Sequence, residues 1–407
     1  MPTWKLPLDR PHRIAGRAGD YLFVGGAGDF DDAGGIRSPG DLAAQVAGAL
    51  GNIAAALDSE GCSLTDVIRL KAFYLSDGSV DEWSVLAAIS NAAGGDPPPA
   101  ITANPVPMQP WPGQLVQIQA IASKGWREHP QTRAVLDDVP AAHRAGFAHP
   151  KLTAGLRAGE FLAVPGRTAP GIVDDAPTDP VGQTDIVMDR MGRVLAELGA
   201  GFQDAIKMEG YYFGSTYDEW APLAEARARR FAEPGPVATV VPCHVLQPEG
   251  ARTKVEVLGL RDHWNGFDKY IPREDRWPAQ VWDWPIPLPY RQGIRLRDMI
   301  WTGGQVPYEP DANRGRTVFA GDVHRQTLFT MRIVEDILRA FDATTSDLAL
   351  LVCYFTSDGS EASVRAFVDL IAACSGGVLP PITLVPQPGM HDDEMRVEIW
   401  GVAAGHG

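Results

Sequence analysis

The chain has 407 residues, 45% hydrophobic and 21% charged, and 51 acidic side chains against 36 basic ones leave a net charge of −15. That length and composition can bury more than one core and divide into two or three domains, while the acidity excludes nucleic acid as the main partner and disfavours an anionic membrane surface, both of which need clustered cations. No stretch reaches the ~18 apolar residues of a membrane span; the opening MPTWKLPLDRPH has no basic-then-apolar leader, and Cys62, Cys243, Cys353 and Cys374 form no CxxC, so a cytoplasmic protein without disulfides or zinc is expected.

From the N-terminus, a short apolar run ends in glycine, YLFVGG (Tyr21 to Gly26). After a glycine-containing loop, Leu42, Val46, Leu50, Ile53 and Leu57 recur at steps of four, four, three and four, one apolar stripe along a helix. An Asp-led run, DVIRLKAFYL from Asp66, predicts a strand; DEW at Asp81 opens a second helix over about 81–93; AITANPV and QLVQIQAIA predict two closing strands. The order then repeats. FLAVPG (Phe161 to Gly166) precedes a helix striped by Val187, Met191, Val194 and Leu198, then DAIKMEGYYF from Asp204, a helix over 217–232, ATVVPCHV and TKVEVLGL. MIWTGG (Met299 to Gly304) precedes Met331, Val334, Leu338 and Phe341, then DLALLVCYFT from Asp347, a helix over 360–374, ITLVPQP and MRVEIWGVA. The first helix of each copy opens near Gln45, Gln183 or Gln326. A period of about 140 residues is too long for a solenoid and indicates a tandem domain: residues 1–124, 148–261 and 288–407, joined by a polar linker at 125–147 and a Pro-rich one at 262–287 that carries Trp264, Trp277, Trp282 and Trp284. Four tryptophans suit a segment that packs over the surface or covers a cleft rather than a free tether.

Each copy reads as an α+β layer, with helices on one face of a mixed sheet. On the Asp-led strands, Ile68, Leu70 and Ala72, with Ile206, Met208, Gly210, Ala349, Leu351 and Cys353, share the parity that packs on helices. The other parity carries Arg69, Lys71 and Phe73, then Lys207, Glu209 and Tyr211, then Leu350, Val352 and Tyr354. Three sheets burying these faces together would form a central barrel with Lys71 paired to Glu209; separate beads would expose the three aromatic rings.

This ordered series, three times over and covering nearly everything except the linkers, resembles the RidA/YjgF (reactive intermediate deaminase, chorismate-mutase-like) family. PYRQGIRLRDMIWTGGQVP (Pro289 to Pro307) and VEIWGVA carry the resemblance most clearly. It implies three β-β-α-β-α-β domains forming an intramolecular pseudo-trimer around a β-barrel, with three unequal clefts. It also implies a last-strand glutamate that assists water, matched by Glu398 and Glu256, with Gln117 in the first copy. The hairpin tyrosine is matched by Tyr290, with His12 and roughly Lys151 elsewhere. The turn glutamine is matched by Gln305, with Arg167 and Ala27 elsewhere; Gly303 and Gly304 would approach the substrate. The family's carboxylate-binding arginine is absent: Ile101, Ala238 and Ile382 stand there, each followed by a threonine, Thr102, Thr239 and Thr383. Ile and Ala cannot make the bidentate fork, so Arg167 or another cation would have to take over.

The resulting expectation assigns Glu398, Glu256 and Tyr290 to catalysis, and Gln305, Gly303, Gly304, Thr383, Thr239, Arg167, Gln117, Lys71 and Glu209 to substrate binding. Alternatives stay open: Glu398 paired with Arg396 or a linker cation, Glu256 paired with Lys254, and Tyr290 at a rim. Cys243 and His244 are adjacent on a strand and point to opposite faces, so they do not form a nucleophile–base pair. No HExxH or HxxxH spacing and no GxGxxG is present, so no metal and no cofactor are expected. The expected activity is hydrolysis of a C–N bond in an imine, enamine or N-heterocycle, with a small molecule as partner. Alternatives are a ring-opening or enol-ether hydrolase, like cyanuric acid hydrolases, barbiturases and chorismatases, or a non-catalytic binding protein. One chain would form the particle, as a monomer or a dimer.

Overall fold

The computed structural model describes residues 4–129, 131–136, 139, 142–148, 152–173, 175–261, 273–310 and 316–406. Lys151 and Trp264 lie outside them. The first third builds β1 (Ala15–Ala18), β2 (Tyr21–Ala27), α1 (Leu42–Asp58), β3 (Val67–Leu75), α2 (Glu82–Ala93), β4 (Ala100–Val106) and β5 (Val116–Ser123). The middle third builds β6 (Gln131–Leu136), β7 (Leu152–Ala158), β8 (Phe161–Thr168), α3 (Pro180–Glu197), β9 (Ala205–Phe213), α4 (Tyr217–Ala228), β10 (Val237–Cys243) and β11 (Thr253–Leu260). The last builds β12 (Arg273–Asp275), β13 (Gly293–Leu296), β14 (Met299–Thr302), α5 (Val323–Arg339), β15 (Leu348–Thr356), α6 (Glu361–Cys374), β16 (Ile382–Gln387) and β17 (Val397–Ala404).

Each copy makes its own sheet, ordered β1-β2-β5-β3-β4, β6-β7-β8-β11-β9-β10 and β12-β13-β14-β17-β15-β16. The pairs β3/β4, β9/β10 and β15/β16 are parallel, as a strand–helix–strand crossover requires. The linkers are not mere tethers: each supplies an edge strand, β6 or β12, to the sheet that follows it.

Local chemistry explains the repetition. Asp41, Asp179 and Asp322 cap the first helices, each accepting from a backbone N–H three residues on. Asp66, Asp204 and Asp347 accept from the N–H of Ser63, Gly201 and Thr344 at the turn into the Asp-led strand. The helix-opening glutamines share one task. Gln45 donates to Gly113 O and accepts from Leu115 N; Gln183 does the same with Gly250 and Arg252, and Gln326 with Glu394 and Arg396. Each thus ties its helix to the loop that leads into the last strand. α4 ends at Ala228, earlier than the expected 232, shortly before Glu233-Pro234, where the pre-proline residue disfavours helix.

The three sheets meet edge to edge, β2 against β16, β4 against β8 and β10 against β14. The backbones touch at these seams: Gly304 N donates to Ala238 O at 2.8 Å, and Arg13 N to Leu379 O at 2.9 Å. A Cβ on Gly25 would lie 2.6 Å from Ile382 O. Among the described residues the strands form three separate sheets, and contact at the seams is made by isolated bonds and side chains rather than a continuous ladder.

The inner faces bury one another as the alternation predicts. Arg69 Nε donates to Glu256 Oε1 at 2.7 Å, Lys71 Nζ stands 2.8 Å from Glu209 Oε1 and 3.1 Å from Glu256 Oε2, and all four are buried. Two cations and two anions from two domains neutralise one another. Beside them the Tyr211 and Tyr354 hydroxyls are 2.9 Å apart, and Phe73 meets Tyr354 edge-on.

Candidate functional site

Strand register defines which residues of the three copies are equivalent. Gln117 pairs with Phe73, Lys254 with Tyr211, and Glu398 with Tyr354. Lys254, not Glu256, therefore holds the place of Glu398 in the middle copy. Glu256 pairs with Glu209 one pleat further on. The expectation that Glu256 is a second catalytic glutamate is corrected: a shift of two residues keeps a side chain on the same face but moves it from the seam into the central ion cluster. Burial pushes the Glu256 carboxyl up, but Arg69 and Lys71 outweigh it and hold it below the usual carboxylate value.

At the seam between the third and first domains, Gln117 Nε2 donates to Leu384 O at 2.6 Å. At the seam between the first and second, Lys254 Nζ donates to Ala103 O at 2.7 Å and pairs with Glu82 at 2.6 Å. Both side chains are consumed in holding domains together. The hollow near Lys254 encloses about 300 Å³ and is bordered by Glu82 and Arg167.

The seam between the second and third domains differs. Glu398 Oε1 accepts from Val240 N at 3.3 Å, and Oε2 lies 3.0 Å from His391 Nε2. His391 Nδ1 is 3.0 Å from the Tyr212 hydroxyl, and the two rings stack. Burial, then the nearby Glu398 charge, raise the Tyr212 pKa, so its hydroxyl stays protonated. Tyr212, His391 and Glu398 thus form one hydrogen-bonded chain that ends at the carboxylate. The side chains of Glu398 and His391 border a cavity of about 660 Å³ of unfilled space, part of it continuous with solvent. Its walls are aromatic: Tyr217 and Trp220 from α4, Trp282 and Trp284 from the second linker, then Tyr290 and Tyr308. Tyr290 is buried and its hydroxyl is pushed up to about 12, by burial against the opposing effect of Arg227.

The remaining expected residues have the following partners. Gln305 Oε1 accepts from Trp282 Nε1 at 3.1 Å, and its amide donates to Gln292 Oε1 at 2.8 Å, so it fastens the tryptophan wall rather than meeting the cavity. Gly303 N donates to Gln292 O and Gly304 N to Ala238 O, both at 2.8 Å, which leaves neither N–H for a ligand. Gly304 has another use: a Cβ there would lie 2.1 Å from Glu398 Oε1, so glycine makes the room the carboxylate occupies. Thr239 accepts from Lys207 Nζ at 2.6 Å, and Thr383 from Gln119 Nε2 at 2.7 Å. Arg167 donates across its seam to Ile101 O at 3.0 Å. Lys71 and Glu209 belong to the central cluster, and His12 bridges Leu379 at the seam between the third and first domains. Cys243 is buried, with its thiol pushed up to about 12 by burial. Among the described residues no group of three or more His, Cys, Asp or Glu gathers as a metal site, and no helix is long and apolar enough to cross a membrane.

Sequence reasoning missed His391 and Arg227. His391 sits in the loop between β16 and β17, where no periodicity applies. Arg227 is fully buried in the cavity wall, yet in sequence it is one of three arginines among 227–230 of a polar helix.

Comparison with known proteins agrees with this architecture. The endoribonuclease L-PSP family profile matches residues 11–124 and 286–405. A RutC family protein of Pyrococcus horikoshii is 33% identical over 114 residues, 28% of this chain and 87% of that protein. A chorismatase crystal structure superposes with a TM-score of 0.54 at 14% identity, covering 84% of this chain and 93% of that one. The Escherichia coli YjgF product aligns with a third of the molecule, at 22% identity over 32% of this chain and 98% of its own, with a TM-score of 0.28.

Proposed function

Given that the chain belongs to the endoribonuclease L-PSP (RidA/YjgF) family, we propose that it is a small-molecule hydrolase with one working site, the seam between its second and third domains. The observation that carries the reading is the Glu398 carboxylate. Of the three equivalent side chains it is the one that faces an aromatic-walled cavity, held by Val240 N and His391 instead of spent on a domain contact.

In this reading Glu398 orients and deprotonates a water beside a polarised C=N carbon. The water oxygen bonds to carbon as the proton taken by Glu398 passes to nitrogen, giving a carbinolamine; its hydroxyl proton then moves through Glu398 to nitrogen as C=O forms and the C–N bond breaks, releasing ammonia or an amine. His391, hydrogen-bonded to the carboxylate and backed by Tyr212, holds that carboxylate in place while it carries the protons from oxygen to nitrogen. Trp220, Trp282 and Tyr308 exclude bulk water and supply flat surfaces for an unsaturated or cyclic substrate. Gln117 and Lys254 close the other two seams, so duplication has freed one cleft to specialise while two act as joints. One chain is then a complete particle, alone or as a dimer, in the cytoplasm.

The test is Glu398→Gln, assayed by ammonia or amine release from a panel of cyclic imines, enamines and lactams. Turnover by the parent that drops by about 10²-fold or more in a folded variant supports the reading; equal turnover in both removes it. A second reading, enol-ether hydrolysis, is favoured by the chorismatase fold match over most of the chain. There the same pair would protonate and hydrate a vinyl ether, releasing a carbonyl compound and an alcohol without nitrogen. The product analysis separates the two.

A further inference from the structure

The cavity contains a charge that the hydrolytic pair does not use. Arg227, on the last turn of α4, is fully buried and shares the cavity wall with Tyr290. None of its Nε, Nη1 and Nη2 atoms has a hydrogen-bond acceptor, and neither does the buried Tyr290 hydroxyl. The Tyr290 oxygen is the near polar neighbour of the guanidinium and supports its charge, a neutral hydroxyl where burial calls for an anion. Other buried cations have partners: Arg69 pairs with Glu256, Lys71 with Glu209 and Lys254 with Glu82, while Lys207 donates to Thr239 and Arg167 to Ile101 O. A buried cation left without an anion is costly, and a polar atom left without a partner in a native protein calls for an explanation.

We propose that Arg227, with Tyr290, is the anchor for a carboxylate on the substrate, so that the substrate class is a small unsaturated or cyclic monocarboxylate whose reacting carbon meets Glu398. The proposal rests on the reading of this seam as the working site. A planar carboxylate matches the guanidinium fork, and one oxygen can also take the Tyr290 hydroxyl proton, which satisfies the orphaned donors together. The site compensates for Ala238, which lines the same cavity where the family arginine is absent. It also gives a protein of net charge −15 a local reason to admit an anion. Water does not reach the guanidinium in the empty protein, so the carboxylate engages it as the Tyr290 ring gives way; no acceptor holds that ring's hydroxyl in place.

The experiment compares the full chain with Arg227→Met and Glu398→Gln by calorimetric titration and thermal melting, with sodium acetate and sodium benzoate as probes and acetamide and benzamide as neutral controls. Saturable binding of at least one anion by the parent and by Glu398→Gln, no matching amide binding, and at least about tenfold weaker binding by Arg227→Met are expected. The empty Arg227→Met protein should melt no lower than the parent, because it loses an uncompensated charge and no bond. Absence of saturable anion binding, equal binding by Arg227→Met, or a variant that fails to fold overturns the proposal. Failure of the hydrolase reading looks different: anions bind through Arg227, yet no turnover depends on Glu398.

Discussion

Glu398 of the third domain accepts a hydrogen bond from the backbone N–H of Val240 in the second, at 3.3 Å. At the two equivalent seams the corresponding side chains point at the same backbone position with opposite polarity: Gln117 donates to the carbonyl of Leu384 and Lys254 to that of Ala103. One geometric slot is thus filled by two donors that lock and one acceptor that faces an open cavity.

The locking residues therefore behave differently from Glu398 on substitution. Gln117→Leu removes a buried donor and leaves the Leu384 carbonyl without it, a loss of about 1–3 kcal/mol in stability. Turnover at the other seam should be unchanged. Denaturant titration alongside an activity assay checks both halves; a large activity loss in Gln117→Leu at full stability would mean that a second cleft works.

His391 acts on Glu398 at 3.0 Å and is itself backed by Tyr212. His391→Gln should lower kcat by about 10²-fold with KM nearly unchanged, since no role in holding the substrate is assigned to it. Tyr212→Phe keeps the ring stack and removes the hydroxyl that meets Nδ1, so it should cost less. Steady-state kinetics provide the check: a fall in kcat at constant KM supports this role, and a parallel rise in KM contradicts it.

The central cluster contributes stability, with a definite pH sign. Glu256→Gln leaves Arg69 and Lys71 short of an anion in a closed interior and should cost about 3–5 kcal/mol. The folded-state pKa of Glu256 lies below its unfolded value. Its contribution is therefore fully present above the unfolded value near pH 4.5 and is lost as pH falls through the folded one. Urea melts at neutral pH and below pH 4 should show the parent and Glu256→Gln converging in acid.

Gly304→Ala tests the shape of the site. The new Cβ would stand 2.1 Å from Glu398 Oε1 and 2.9 Å from Thr239 Oγ1, so the carboxylate must move. Activity should fall at least about tenfold, as misplacement of a reacting group does, while the melting temperature changes little, because the Glu398 side chain can swing into the cavity.

Much of this architecture was legible in the sequence because it repeats. Period-two alternation placed Lys71 and Glu209 on facing inner surfaces, and they pair at 2.8 Å. The same period hid the error at Glu256. Aligning Gly259 with Gly401 slips the register by two, which changes no side chain's face, and only the strand ladder reveals that Lys254 stands opposite Tyr211. How the three sheets meet at their edges was not legible, because alternation specifies facing surfaces and not edge pairing. Arg227 was hidden because its neighbours Arg229 and Arg230 pair at the surface with Asp185; which arginine of such a run turns inward is set by the helix's phase against the next domain. His391 lies in a loop, and its partner Tyr212 is 179 positions away in the chain.

The central claim, a single working cleft, is tested most directly by a crystal structure of the full chain soaked with a panel of cyclic imines, lactams and unsaturated carboxylates. Ligand density between Glu398, Tyr290 and the Trp282 wall, with the Gln117 and Lys254 seams still closed by their hydrogen bonds, is the predicted result. A ligand seated beside Gln117 or Lys254, with the Glu398 cavity empty, would contradict it.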